Sequence, residues 1–294
     1  MTLVEMLVSI AVLAVMVLAF SSIMVQSEQF VSLAQSSRRS HALAAAIGRV
    51  VRRDLRRISQ NGCLAITRAS ANSTPLLIFT AAGATYSATD ANACGTGSLV
   101  CYGQCNNQGT GGGILWRAAY VLADNRNQAQ EKDVLPFGMT QLQAKTRAQI
   151  HTSVVDAIAT LHQRASSSLQ VPPTTLDRVN DLWQVLATGC SGLSITWTDG
   201  RVADADNPND LNLNWYGIDP SPQAAVNPRR ADLEDIEDPN NYGGASYRAL
   251  WTNENQRNWP RAIKIRFRIT NVNLPVDYRG ARSMDYEVIA NIGR

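Results

Sequence analysis

The sequence predicts an α+β fold: a long N-terminal α-helix, half apolar and half amphipathic, packs on an antiparallel β-sheet head that carries long loop and helical insertions. The first 59 residues contain no proline and a single glycine, Gly48, so little interrupts a helix there. The remainder contains short β-rich runs separated by glycine, asparagine and threonine. We therefore divide the chain into a helix at 1–59 and a head at 60–294.

The first half of the helix is suited to an apolar environment. Residues 6–24 carry no charge, and a helix of that length approaches the thickness of a bilayer core. The segment does not match a signal peptide, which has a basic start and a small-residue cleavage site. We expect residues 1–25 to lie in a membrane or a filament core. Glu5 falls inside this stretch, where a carboxylate is costly unless it is paired.

The second half of the helix is amphipathic. Arginines crowd residues 49–57 with Asp54 among them, and we interpret them as a solvated face or one paired with acidic neighbours. Binding of DNA or anionic lipid is the alternative. Asn61-Gly62 predicts the end of the helix. The helix would then run from about residue 2 to residue 59 and be roughly 85 Å long. The apolar face comprises Leu43, Ile47, Val50, Val51, Leu55 and Ile58.

The N-terminus carries a family resemblance. Thr2-Leu3-Val4-Glu5-Met6-Leu7-Val8 resembles the start of a mature type IV pilin or pseudopilin. The resemblance implies removal of a leader by a prepilin peptidase, N-methylation of Met1, and an assembly role for Glu5, which would pair with the N-terminal ammonium of a neighbouring subunit. Many major pilins have glycine and proline where this chain has Ala14 and Ser22, which favours a minor subunit or a filament whose helix stays continuous.

A second resemblance lies near the C-terminus. The C-terminal region resembles two groups, the J-type pseudopilins and the W-type minor pilins. J-type pseudopilins are minor subunits of type II secretion systems. The resemblance lies in the order of four segments: a strand at 191–199, a run at 249–251, Trp-Pro-Arg-Ala-Ile at 259–263 and a last run at 285–293. The implied partners are copies of this chain or I-like and K-like subunits in a helical filament, and an inner-membrane assembly platform. The implied location is the inner membrane with a periplasmic head, then a periplasmic or extracellular filament.

The head is expected to contain strands and two helical insertions. The run 262–270 alternates apolar and cationic side chains, which predicts a half-buried strand whose cations pair with Asp277 or Glu287. Residues 91–113 are interpreted mainly as a loop, and 146–165 and 174–190 as helices. Further strands are expected at 76–80, 98–102 and 114–123.

Two groups of residues are candidate sites in the head. In an exported chain the five cysteines are disulfide candidates, with one left free or paired between chains: Cys63, Cys94, Cys101, Cys105 and Cys190. The insertion near 200–247 is acidic and rich in turns. Asp204, Asp206 and Asp210 are candidate ligands of Ca²⁺, the one possible cofactor, and a solvated acidic loop is the alternative.

The sequence contains no catalytic motif of the common hydrolase, metalloprotease or nucleotide-binding types. We therefore expect that the chain is not an enzyme. A net charge of +3 and arginines without interleaved aromatics make DNA an unlikely partner. The expected function is a structural subunit of a type IV pilus-like filament or secretion pseudopilus, with a minor, J-like subunit favoured over a major pilin. The alternative is a single-pass membrane-anchored adhesin or receptor that does not polymerise.

Overall fold

A computed structural model gives the predicted α+β architecture, a long apolar helix followed by a curled antiparallel sheet. The residues that it describes are 2–68, 74–87, 93–105, 113–123, 134–135, 137–156, 183–202, 212–218, 247–270 and 283–292.

Helix α1 runs without interruption from Leu3 to Leu55 and is about 80 Å long. It ends earlier than the predicted residue 59 because the following residues pair with a strand of the head. The Ser59 N–H donates to the Thr80 carbonyl at 2.9 Å, and the Ala82 N–H donates to the Arg57 carbonyl at 2.7 Å. The chain has therefore left the helix before it reaches Asn61-Gly62.

Ten strands among the described residues form one sheet, with the order β10-β9-β6-β4-β3-β2-β1-β8 and with β5 beside β4 and β7 beside β6. Every pairing is antiparallel except that of β4 with β5. The strands are β1 Leu64–Arg68, β2 Leu76–Tyr86, β3 Cys94–Cys105, β4 Gly113–Leu122, β5 Val134–Leu135, β6 Trp183–Thr198, β7 Tyr216–Ile218, β8 Tyr247–Trp251, β9 Ala262–Thr270 and β10 Ser283–Asn291.

The sheet curls so that edge strand β8 approaches β6. Trp251 of β8 meets Trp197 of β6 edge to face, with ring centroids 4.8 Å apart, and Trp197 Nε1 donates to the Tyr247 hydroxyl at 3.0 Å. The second half of α1 packs on the same face of the sheet. It meets β10 at Gly48, which lies beside Val288. The helix contributes Ala44, Ile47, Val51 and Leu55 to this core.

The opposite face of the sheet is covered by a second, smaller core. Helix α2 (Met139–Gln143) and helix α3 (Arg147–Ile150), which continues as a π-helical stretch over His151–Asp156, pack there. This agrees with the helix predicted at 146–165 as far as 156, since 157–182 lie outside the described residues. The side chains that they bury include Met139, Leu142, Ile150 and Val154.

Two predictions for the head were wrong. The helix expected at 174–190 is contradicted over its described part, because 183–190 form the first half of β6, paired with β4. Gly189 and Gly192 have φ of 70° and 63° and lie in the stretch where β6 leaves β4 and joins β9. The strand expected at 98–102 is confirmed, but β3 is longer than predicted and spans 94–105, because β2 and β4 pair with it on both sides. The loop expected over the rest of 91–113 is therefore contradicted at 94–97 and 103–105.

Candidate functional site

The first half of α1 is an apolar surface that no other described part of the chain covers. We call residues 3–31 the apolar segment. Every side chain in it is exposed, including Leu3 at 80%, Phe20 at 72% and Phe30 at 73%. The helix that carries it is long and apolar enough to cross a membrane. An exposed apolar surface of this extent marks a contact with lipid or with protein.

Glu5 lies in the first turn of this helix and has a partner within the chain. Its Oε2 accepts a hydrogen bond from the Thr2 backbone N–H at 2.8 Å, and Thr2 is the N-cap residue with an extended backbone. The carboxylate thus satisfies one of the amides that a helix start leaves unpaired, and it faces the positive end of the helix dipole. The Thr-x-x-Glu spacing is the sequence signal for this cap. Glu5 was predicted as a site residue and its cap was not, while Met1 lies outside the described residues.

The arginines of the second half of α1 have two kinds of surroundings. All five arginines of residues 49–57 are exposed, as expected of a solvated face. Two of them, Arg52 and Arg57, also reach the sheet, where their Nε atoms donate to the carbonyls of Ile289 at 3.3 Å and Ala82 at 3.1 Å. These arginines therefore help to hold the helix on the head.

Asp54 is a buried carboxylate that connects three elements. It is 2% exposed, and its Oδ2 accepts from the Tyr102 hydroxyl of β3 at 2.7 Å and from Arg117 Nε of β4 at 2.5 Å. Burial and the neighbouring Asp54 charge raise the pKa of Tyr102. Burial opposes the charged form of Arg117, but the hydrogen bond and charge of Asp54 outweigh it and raise its pKa. From the sequence, Asp54 was predicted only as one acidic residue among the arginines. This cluster was not predicted, because the partners of Asp54 are distant in sequence.

No disulfide is found among the five disulfide candidates in this structure. Cys190 belongs to the core under α1, whereas Cys63, Cys101 and Cys105 belong to the core on the other face. Cys101 and Cys105 are four residues apart on one strand, about 13 Å, which is too far for a disulfide. Cys94 is exposed at the start of β3.

The strand β9 has the predicted core face and cationic face. Its apolar side chains are all at most 6% exposed: Ile263, Ile265, Phe267 and Ile269. On the other face Arg266 Nε meets Glu287 at 2.6 Å and Arg268 Nε meets Asp285 at 2.7 Å across the β9–β10 pair. The predicted pairing with Glu287 is confirmed, and Asp277 lies outside the described residues.

The calcium candidates Asp204, Asp206 and Asp210 lie outside the described residues. Within the part of the chain that the structure describes, no group of three or more histidine, cysteine or acidic side chains is arranged to hold a metal ion.

Comparison with known proteins gives no match. No protein-family model, no curated protein and no solved structure matches the chain. An α+β architecture hosts many functions, so the function has to be argued from the exposed helix and its charges.

Proposed function

We propose that the chain is a structural subunit of a type IV pilus-like filament or a type II secretion pseudopilus, which polymerises through α1. The observation that carries this proposal is the combination of a fully exposed apolar segment and a continuous helix whose second half is fixed to a folded head. One rigid element thereby joins an apolar association surface to a water-soluble domain. A minor, J-like subunit is favoured over a major pilin, since α1 has no break at Ala14 or Ser22.

The energetics of the apolar segment support association. Burying one large apolar side chain contributes about 1.5–3 kcal/mol, and the segment exposes such a side chain in nearly every turn. Before assembly the inner membrane would cover it, with the head in the periplasm. In the filament, helices of neighbouring subunits would cover it. A prepilin peptidase and an assembly platform are the partners that this cycle requires, and N-methylated Met1 is the modification that it predicts.

Glu5 would act at the transfer from membrane to filament. The Thr2 N–H satisfies one carboxylate oxygen, but a hydrogen bond to an amide leaves the charge itself uncompensated in hydrocarbon. The ammonium of an adjacent subunit would compensate it. Such a pair is a better register device than a source of net stability.

The test separates the charge of Glu5 from its capping role. Glutamine at this position still accepts from the Thr2 N–H, as the capping box allows Glu or Gln. We therefore expect Glu5→Gln to keep the cap and lose the charge, and Glu5→Ala to lose both. Subunit content of filaments sheared from cells should fall for both variants. Normal incorporation of Glu5→Gln would contradict the proposed role of the charge.

A second candidate function is a single-pass membrane-anchored adhesin or receptor that never polymerises. The specific observation in its favour is the Thr2–Glu5 cap, which gives Glu5 a role within a single chain. This candidate predicts full function of Glu5→Gln, retention of the chain in the membrane fraction of cells that carry filaments, and only monomer in detergent extracts. Recovery of the chain in sheared filaments would exclude it.

A further inference from the structure

A cleft of about 950 Å³ lies at one end of the head. Its walls come from the end of β6 and the residues after it (197–201), from the turn before β9 (256–262), from the end of β10 (291–292), from Leu213 and from Gln60 after α1. The volume lies within the range of small-molecule sites. Five parts of the chain that are distant in sequence therefore build one concavity.

The backbone of this cleft is held by the sheet. The Arg261 N–H donates to the Thr198 carbonyl at 2.8 Å, and the Arg261 carbonyl accepts from the Ile292 N–H at 2.9 Å. Trp259 closes the wall from behind, with its Nε1 donating to the Thr252 carbonyl at 2.9 Å. The turn that contributes most of the wall is thus fixed on both sides, and the cleft is preformed.

Three guanidinium groups line the cleft, those of Arg201, Arg257 and Arg261. Arg201 lies 3.4 Å from the carboxylate of Asp199, which is the one acidic side chain among the described residues of the lining. Arg257 and Arg261 are exposed, and neither forms an ion pair with any residue that the structure describes. Two cations in one concavity that have no carboxylate partner within the described ranges favour an anionic ligand.

The position of Arg261 depends on a glycine. Gly200 has a φ of 83°, and a Cβ on it would overlap Cδ of Arg261 and lie 3.0 Å from its Nε. The Arg261 side chain thus crosses directly over the Gly200 backbone. A larger residue at 200 would displace the side chain, so the local backbone is shaped to hold this guanidinium at the cleft.

The rest of the lining is rich in amides. Asn258 and Asn291 are exposed side chains of the wall, and Gln60 and Gln256 lie beside them. The Gln256 side chain is tied to the Gln60 carbonyl and to Asn61 Oδ1 at 3.4 and 3.2 Å. An amide presents a donor and an acceptor side by side, which suits the neighbouring hydroxyls of a sugar. Guanidinium groups supply forked donors for a carboxylate.

We propose that this cleft binds an acidic saccharide, a sugar chain that carries both carboxylates and hydroxyls, with Arg257 and Arg261 contacting a carboxylate and the amides contacting hydroxyls. The cleft lies beyond the C-terminal end of α1, and the apolar segment ends some 24 residues before that end, about 36 Å along the helix. Covering the apolar segment with lipid or with other helices therefore leaves the cleft accessible. The inference goes beyond the proposed function and does not depend on assembly.

The test is calorimetric titration of the full chain in neutral detergent with trigalacturonate. The expected result is binding that weakens as salt rises from 50 to 200 mM, and that falls about tenfold or more in the double variant Arg257→Gln, Arg261→Gln. The matched control is Arg49→Gln, Arg56→Gln, which removes two exposed arginines of α1 and should bind as the unmodified chain does. Thermal unfolding of each variant checks that the head is folded.

Two comparison ligands define the outcome. The carboxyl-reduced form of the same trisaccharide should bind at least about tenfold more weakly, because it lacks the groups that the guanidiniums recognise. A peptide that carries three carboxylates and an acetylated N-terminus, and so matches the charge of trigalacturonate, should also bind more weakly, because it lacks the hydroxyls. Absence of binding by trigalacturonate, equal binding by its reduced form, tighter binding by the peptide, or unchanged affinity in the cleft variant would each overturn the proposal.

Discussion

The Tyr102 hydroxyl donates a 2.7 Å hydrogen bond to Oδ2 of Asp54, a helix residue whose side chain is almost fully buried. Arg117 Nε donates to the same oxygen, so one carboxylate joins α1, β3 and β4. A buried polar cluster is satisfied in only one arrangement of its members, and it therefore specifies how the helix sits along the sheet.

Removing the Asp54 carboxylate should destabilise the head. Asp54→Ala leaves the Tyr102 hydroxyl and the Arg117 guanidinium without their acceptor in a mostly buried place. We expect the free energy of unfolding to fall by about 3 kcal/mol, which corresponds to roughly 6–12 °C in Tm. Thermal unfolding followed by near-ultraviolet circular dichroism measures this change.

The matched control is Asp285→Ala, which also breaks an Asp–Arg contact, but between side chains that are 71% and 53% exposed. An exposed pair contributes at most about 1 kcal/mol. An equal decrease in the free energy of unfolding in the two variants would show that burial does not determine the strength of the Asp54 contacts.

The thiols should react in a pattern set by burial. In the folded chain a membrane-impermeant maleimide should modify one cysteine quickly, and Cys94→Ser should abolish this reaction because Cys94 is the exposed thiol. Burial raises the pKa of Cys63 to about 12 and of Cys190 to about 11, so neither forms much thiolate at neutral pH. In denaturant without reductant all five cysteines should react. A count of three or fewer would reveal a disulfide.

Alkaline pH should weaken the head. An unfolded Cys190 thiol ionises near pH 9, whereas burial holds its folded pKa at about 11. The folded state therefore keeps a proton that the unfolded state releases, and the stability from this group is complete below pH 9 and declines as pH rises towards 11. Urea unfolding between pH 8 and 11 should show a shallower decline for Cys190→Ala. Identical slopes in the two chains would contradict this explanation.

Two glycine substitutions should act in opposite directions. A Cβ on Gly48, within α1, would lie 3.5 Å from a methyl of Val288, an ordinary contact. Gly48→Ala should therefore stabilise the chain by about 0.5–1 kcal/mol through helix propensity. A Cβ on Gly62 would overlap the Thr80 side chain, so Gly62→Ala should destabilise the head. Urea unfolding of both variants checks the signs, and a destabilised Gly48→Ala would contradict the packing of α1 on β10.

The elements that sequence analysis predicted well are those with a strong local pattern. Strand β9 alternates along its length, and α1 has no proline to stop it, so both were predicted within a few residues. Strand β6 was mistaken for a helix over 183–190 because local propensity does not report pairing with β4. The end of α1 was predicted four residues late for the same reason, since Ser59 and Arg57 pair with a distant strand.

The residues of the candidate site show the same difference between local patterns, which the sequence reveals, and contacts between distant residues, which it does not. Glu5 was evident because its charge interrupts an apolar run, and its Thr2 cap was also readable from spacing. The partners of Asp54 lie 48 and 63 residues away, and no local pattern connects them. The cleft is assembled from five separate parts of the chain, so no local pattern distinguished its arginines in the sequence.

Among the helix residues, the buried core of the head begins at Ala44, and Leu43 packs against it. The apolar segment ends at residue 31, so moving it from one apolar environment to another would disturb none of these contacts. In the proposed cycle the head would therefore keep its fold while the segment passes from membrane to filament.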